Sequence, residues 1–147
     1  MTTQVEPCAE LMLDNQLCFA LYSTSLMMTK TYKPLLQALG LTYPQYLAML
    51  VLWENEGITV SEISARMLTD PGSLTPLLKR LESEGLLQRQ RSSQDERVVQ
   101  LYLTDKGRAL HEQAKALPAK ASALNMEQLG KLRDNLIELR GHLQDAL

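Results

Sequence analysis

Aromatic residues are scarce: one tryptophan, one phenylalanine and five tyrosines among 147 residues. A core without large rings has to be assembled from leucine, methionine and other aliphatic residues, and here those recur at helical spacing. Cysteine is scarcer still. Cys8 and Cys18 are the 2 cysteines of the chain, too few for a disulfide framework. No apolar run approaches the ~20 residues of a membrane span. The N-terminus is polar and lacks the basic start and apolar block of a secretory leader. These absences predict a cytoplasmic protein whose thiols rest reduced. His111 and His142, the 2 histidines, lie far apart without the cysteine or carboxylate spacing of a zinc site, so neither metal nor cofactor is expected. Positive charge is not in excess either. The formal net charge is −2 with a pI near 5.7, and Ser61–Arg97 holds as many acidic as basic side chains. DNA binding therefore cannot be argued from composition and has to rest on where the arginines point.

What is present is a well-punctuated helical pattern in one domain-sized chain. Residues 1–12 read as a flexible arm. From about Leu13 to Leu39, Leu17, Ala20, Leu21, Met27, Met28, Leu35 and Leu36 mark a long helix. Pro34 is expected to kink or break it, and Gly40 to end it. Thr42-Tyr43-Pro44-Gln45 is a start signal for a second helix, apolar on nearly all sides: Thr as N-cap, an early Pro, and Gln three residues on. One short strand at Ile58-Thr59-Val60 is followed by a short helix opened by Ser61 and Glu62. After the turn Thr69–Gly72, a helix over Ser73–Glu84 is capped by Asp70 or Ser73. Leu86–Ser92 and Val98–Leu103 then alternate in character around a charged tip, the mark of a β-hairpin. A helix begins at Thr104 and runs towards Leu117 and Pro118. Asn125 caps a last helix carrying Leu129, Leu132, Leu136, Leu139 and Leu143.

Two short helices across a tight turn, followed by a hairpin, make a winged helix-turn-helix. Such a module sets its second helix in the major groove. The fold class expected is mainly α with a small β-hairpin wing. Residues 43–104 form the DNA-binding region, and 13–40 with 105–147 a helical dimerisation region. On the second helix, Ser73, Thr75 and Pro76 open the face towards base edges, with backbone N–H groups free to attract a phosphate. Lys79 and Arg80 lie a turn later. Arg89, Arg91 and Arg97 decorate the hairpin, and Asp95 is placed to hold the Arg97 guanidinium for a narrow minor groove. The bland reading is a packed helix beside an ordinary sheet edge, and the charge balance favours it somewhat. The layout outweighs it.

Cys18 opens the long helix with Tyr22 one turn on, and Tyr32 and Tyr43 follow. A thiol met by phenolic O–H groups is favoured as thiolate, the reactive form. By position alone, a buried inert cysteine would be the better reading. Tyr46 and Tyr102 are assigned to ordinary half-buried packing. The stretches DNQLCFALYSTS (14–25), TYKPLLQALGLTYPQYLAMLVLWE (31–54), GSLTPLLKRLESEGLL (72–87) and RSSQDERVVQLYLT (91–104) resemble the MarR family of dimeric transcription regulators, above all its organic hydroperoxide-responsive branch. The resemblance implies a homodimer on a pseudo-palindromic double-stranded DNA operator. It maps the peroxide-sensing cysteine to Cys18, its hydrogen-bonding tyrosines across the dimer to Tyr32 and Tyr43, a further pocket tyrosine to Tyr22, and the wing motif to Asp95 and Arg97.

The second, C-terminal cysteine of two-cysteine members is missing. The resemblance therefore implies a one-cysteine sensor that ends as a mixed disulfide with a low-molecular-weight thiol, or over-oxidised. Pro71 stands where a small polar residue is more usual. Leu17, Phe19, Leu21, Met27 and Met28 would line an apolar pocket suited to alkyl hydroperoxides. Cys8 is expected to be an exposed bystander. The reading is a repressor, not an enzyme. Its competitors are a repressor induced by a small aromatic ligand without redox chemistry, a thiol peroxidase, and a purely structural helical dimer.

Overall fold

The computed structural model of the chain describes residues 4–115 and 126–147. Two short 3-10 turns, Ala9–Leu11 and Leu13–Asn15, precede the first long helix, α1 (Leu17–Leu39). Helix α1 thus begins four residues later than the periodicity suggests. The side-chain amide of Asn15 bonds the Ala9 carbonyl, and that of Gln16 bonds the carbonyls of Glu10 and Met12. Such side-chain bonds offer the backbone an alternative to the helix. Pro34 does not break α1, which continues to Leu39. Gly40, at φ 73°, closes it in the left-handed conformation that glycine adopts without steric cost.

Helix α2 (Tyr43–Glu54) starts as its signals require: Thr42 accepts from the Gln45 N–H, and the Gln45 side chain accepts from the Thr42 N–H. Strand β1 (Ile58–Thr59) leads into α3 (Val60–Met67), capped by Thr59, and α4 (Pro71–Ser83), capped by Asp70. The hairpin strands are β2 (Leu87–Arg91) and β3 (Val99–Leu103), followed by α5 (Asp105–Ala114) and α6 (Met126–Ala146). Leu117, Pro118 and Asn125 lie outside the described residues.

The three strands form one antiparallel sheet in the order β1-β3-β2, with Leu101 facing both Ile58 and Arg89. On β3, Leu101 and Leu103 are buried and the residues between are not, whereas β2 is exposed beyond Leu87. The wing therefore grows out of the core at one end and stands in solvent at the other. The main core joins Ala48, Met49 and Leu52 of α2 to Ile63 of α3, Leu74, Leu78 and Leu81 of α4, and Leu87, Leu101 and Leu103 of the sheet. A second cluster surrounds Leu36 and Ala114, where Tyr32, Leu35, Leu39, Tyr46 and Trp53 bring α1, α2 and α5 together.

Two helices leave apolar surface uncovered. On α1, Leu17, Leu21, Leu26 and Met27 are exposed; on α6, Leu132, Ile137 and Leu143 are. Among the described residues no single helix is long and apolar enough to cross a membrane.

Candidate thiol site and nucleic-acid interface

Because α1 starts at Leu17, Cys18 occupies its second position rather than a site further along. Its N–H is among the orphan donors of the helix start. Cys18 is exposed, flanked along the first turns of α1 by the bare Leu17 and Leu21. Tyr22 lies one turn on, at the i,i+4 spacing that places two side chains on one face. Tyr22 is 64% exposed, and among the described residues no hydrogen bond within the chain joins it to the sulfur.

Tyr32 and Tyr43 do not meet Cys18 in the same chain. Fourteen positions along one α-helix separate Cys18 from Tyr32, a rise of ~21 Å, and Tyr43 lies beyond the far end of α1. The phenols instead gather among themselves. Tyr43 and Tyr46 have ring centroids 6.3 Å apart. Tyr46 in turn meets Trp53 edge-on at 6.4 Å, and Trp53 lies 5.3 Å from the His111 ring. Burial, reinforced by the neighbouring Tyr32 and Tyr43 hydroxyls, pushes the Tyr46 phenol above its ordinary value. Tyr46, expected to be plain packing, thus sits beside both tyrosines expected to serve the thiol. Only the meeting of three helices reveals this, and nothing in the local spacing announces it.

The face expected to read DNA is pre-bonded. The Asp70 carboxylate accepts from the Ser73 N–H at 3.0 Å and from the Ser73 hydroxyl at 2.7 Å, which holds its carboxyl below the usual range. The Thr75 hydroxyl donates to the Pro71 carbonyl at 2.8 Å. Both hydroxyls have spent their proton, so they are left as acceptors suited to base amino groups. Phosphates, which need donors, would have to break these bonds. The expected pull of the helix start on phosphate is likewise reduced, because Asp70 already takes one of its N–H groups. Pro76, at the sixth position of α4, has no N–H to give to the Gly72 carbonyl.

Among the basic residues, Arg89 bonds Glu82 at 2.7 Å and ties β2 to α4, and Arg80 pairs with Glu84 at 3.3 Å. Arg91 donates to the Glu96 carbonyl at 2.8 Å, bracing the wing tip. Arg97 is held by Asp95 through its N–H at 3.0 Å and its guanidinium at 3.2 Å, and those bonds hold the Asp95 carboxyl below its ordinary value. The Arg97 side chain is nonetheless 91% exposed, so it is aimed by Asp95 and still free to be covered. Lys79 makes no ion pair with another described residue. Exposed pairs of this kind are worth ~0.2–1 kcal/mol, too little to keep an arginine from a phosphate. Among the described residues no cluster of histidine, cysteine and carboxylates could hold a metal ion.

The chain matches the transcriptional regulator SarA/Rot family across residues 30–114. It is 48% identical, over 132 residues, to the organic hydroperoxide resistance transcriptional regulator of Bacillus subtilis (strain 168), covering 86% of this chain and 90% of that protein. It is 34% identical to the HTH-type transcriptional regulator MgrA of Staphylococcus aureus, over 82% of this chain and 84% of the relative. Among solved structures, reduced AbfR bound to DNA superposes with a TM-score of 0.75 at 35% identity, covering 89% of this chain and 93% of that one. AbfR of Staphylococcus epidermidis superposes at 0.72 and 32% identity, over 92% and 94% of the two chains.

Proposed function

The chain belongs to the MarR/SarA family of winged-helix transcriptional regulators, and on that premise we propose that it is a DNA-binding repressor that reads organic hydroperoxides through Cys18. The likeness to the Bacillus subtilis regulator of organic hydroperoxide resistance carries this reading. The placement of Cys18 at the start of α1, bare among apolar side chains, supports it. A pair of copies on a pseudo-palindromic operator accounts for the rest. Two α4 helices enter successive major grooves ~34 Å apart, and Tyr32 and Tyr43 of one copy complete the thiol site of the other.

The chemistry is a two-electron oxidation. The Cys18 thiolate attacks the distal oxygen of ROOH; the S–O bond forms as the O–O bond breaks, and the alkoxide takes a proton and leaves as alcohol. Tyr32, Tyr43 and Tyr22 are the phenols assigned to favour the sulfur anion. A low-molecular-weight thiol then displaces water from the sulfenic acid, leaving a mixed disulfide. That adduct inserts a whole small molecule between packed helices, at a cost on the order of 1–3 kcal/mol. Spread over two recognition helices held at a fixed spacing, such a distortion loosens the grip on DNA by about tenfold per 1.4 kcal/mol. On the DNA side, Ser73, Thr75 and Pro76 face base edges, Lys79, Arg80, Arg89 and Arg91 face the phosphates, and Asp95 aims Arg97 from the wing.

A duplex-shift assay with and without cumene hydroperoxide, comparing the parent with Cys18→Ser, tests this. The parent should release the duplex on oxidation while Cys18→Ser stays bound. Release of both proteins would overturn the redox reading and leave a regulator answering to another signal.

A further inference from the structure

The two phenols assigned to the sulfur come from different helices, Tyr32 from the middle of α1 and Tyr43 from the first residue of α2. To serve one sulfur, both hydroxyls must lie within hydrogen-bond reach of a single point, so their mutual separation has to be fixed to a few tenths of an ångström. Neither is fixed by its own bonds: among the described residues neither Tyr32 nor Tyr43 has a hydroxyl partner within the chain, and Tyr43 is exposed. Tyr46 is a neighbour of both. It is three residues after Tyr43, its ring 6.3 Å from the Tyr43 ring and 6.4 Å from that of Trp53. It also packs against the cluster around Leu36 and Ala114 to which Tyr32 belongs. Trp53 is anchored in turn, its indole N–H donating to the Gly107 carbonyl at 3.0 Å.

We propose that Tyr46 is a positioning residue for the thiol site: its ring, wedged between the Tyr43 ring and the Tyr32 cluster and backed by Trp53, sets the distance between the two phenols that hold the sulfur anion. The proposal rests on the redox reading above and adds a residue to it. The ring is the active part. The hydroxyl stays protonated, because burial and the neighbouring phenols all oppose its ionisation. It therefore brings no negative charge near a thiolate, where one would raise the thiol pKa.

The rate of oxidation by cumene hydroperoxide, measured against pH, separates this role from plain packing. Tyr46→Leu, which removes the ring, should move the midpoint of the pH–rate profile up by about one unit and, at pH values below both midpoints, slow oxidation ~10-fold, as fewer molecules carry thiolate. Tyr46→Phe, which keeps the ring, should follow the parent profile. Tyr46→Met fills a similar volume with a flexible chain and should behave like Tyr46→Leu. Duplex binding by the reduced proteins checks that each variant is folded. Leu and Met variants that keep the parent midpoint, while Tyr32→Phe or Tyr43→Phe shifts it, would overturn the role of Tyr46 alone. A midpoint unmoved by Tyr32→Phe and Tyr43→Phe as well would overturn the assignment of those phenols. Loss of duplex binding by the reduced Tyr46→Leu and Tyr46→Met proteins would also overturn the proposal, by assigning the ring to fold maintenance.

Discussion

Two aspartates shape the surface proposed to face DNA at the scale of single residues, and on that proposal they act in opposite senses. Asp70 closes the start of α4 and competes with phosphate, whereas Asp95 orients Arg97 and assists it. Removing the Arg97 guanidinium by Arg97→Ala should lower the magnitude of the slope of log affinity against log salt by ~1.8, about 0.9 for one contact in each of the two copies. Asp95→Ala should leave that slope unchanged and weaken binding less, since the charge remains and only its aim is lost. Titration of a labelled duplex at several salt concentrations distinguishes the two. For Asp70 the sign follows from its hydrogen bonds to Ser73, which hold the folded-state carboxyl below its ordinary value. Its contribution to stability is present above the unfolded value, ~3.9, and fades as pH falls through the lower folded one. Asp70→Ala should therefore melt below the parent at pH 7, and the two melting curves should converge in acid.

At the scale of elements, α5 is tied to the winged module by a set of specific hydrogen bonds. Thr104 caps it and donates to the Gly85 carbonyl, Lys106 donates to the Glu84 carbonyl, and Glu56 accepts from both the Leu103 N–H and Arg108. Gly107 lets α5 lie directly on the backbone at Leu86, and a Cβ there would collide with the Leu86 carbonyl oxygen. Gly107→Ala should cost ~1–3 kcal/mol, as overpacking does, and a lowered urea midpoint with unchanged slope would register it.

Neither this docking nor the Tyr46 wedge was legible in the sequence, since both depend on which helices meet. What was legible is local. Thr42, Pro44 and Gln45 announce α2 because a cap is a contact over three residues, and the alternation after Leu86 announces the hairpin. Helix α1 begins later than its apolar period suggests, because that period continues through Leu13 while the amides of Asn15 and Gln16 divert the backbone. The alternatives Asp70 and Ser73 for the α4 cap stayed open because both satisfy the spacing, and the structure chooses Asp70. Cys18 stands out in the sequence as a candidate thiol, but the phenols proposed to serve it are not legible from spacing, because ~21 Å of helix separates it from Tyr32 in one chain.

On the proposed assignment of Tyr32 and Tyr43, that separation makes the whole molecule, rather than the single chain, the unit of sensing. The stripe on α6 that includes Leu132 and Leu143 is half bare, as is the start of α1 around Cys18, and a second copy is the partner that would cover both. Leu132 and Leu143 lie eleven residues apart, close to three helical turns, and so point the same way. Replacing both with aspartate sets two carboxylates in an apolar interface, which is far costlier than losing the packing alone. The doubly substituted protein should sediment as a monomer at concentrations where the parent is a dimer. Two losses should then appear together. Operator affinity should fall, because a single module holds one half-site without the other to raise its effective concentration. Oxidation of Cys18 should slow as well, because Tyr32 and Tyr43 arrive from the other copy. A monomer that reacts with cumene hydroperoxide as fast as the parent would show that the thiol needs no phenol from a second chain, and the shared site would have to be abandoned even if the DNA half of the account stood.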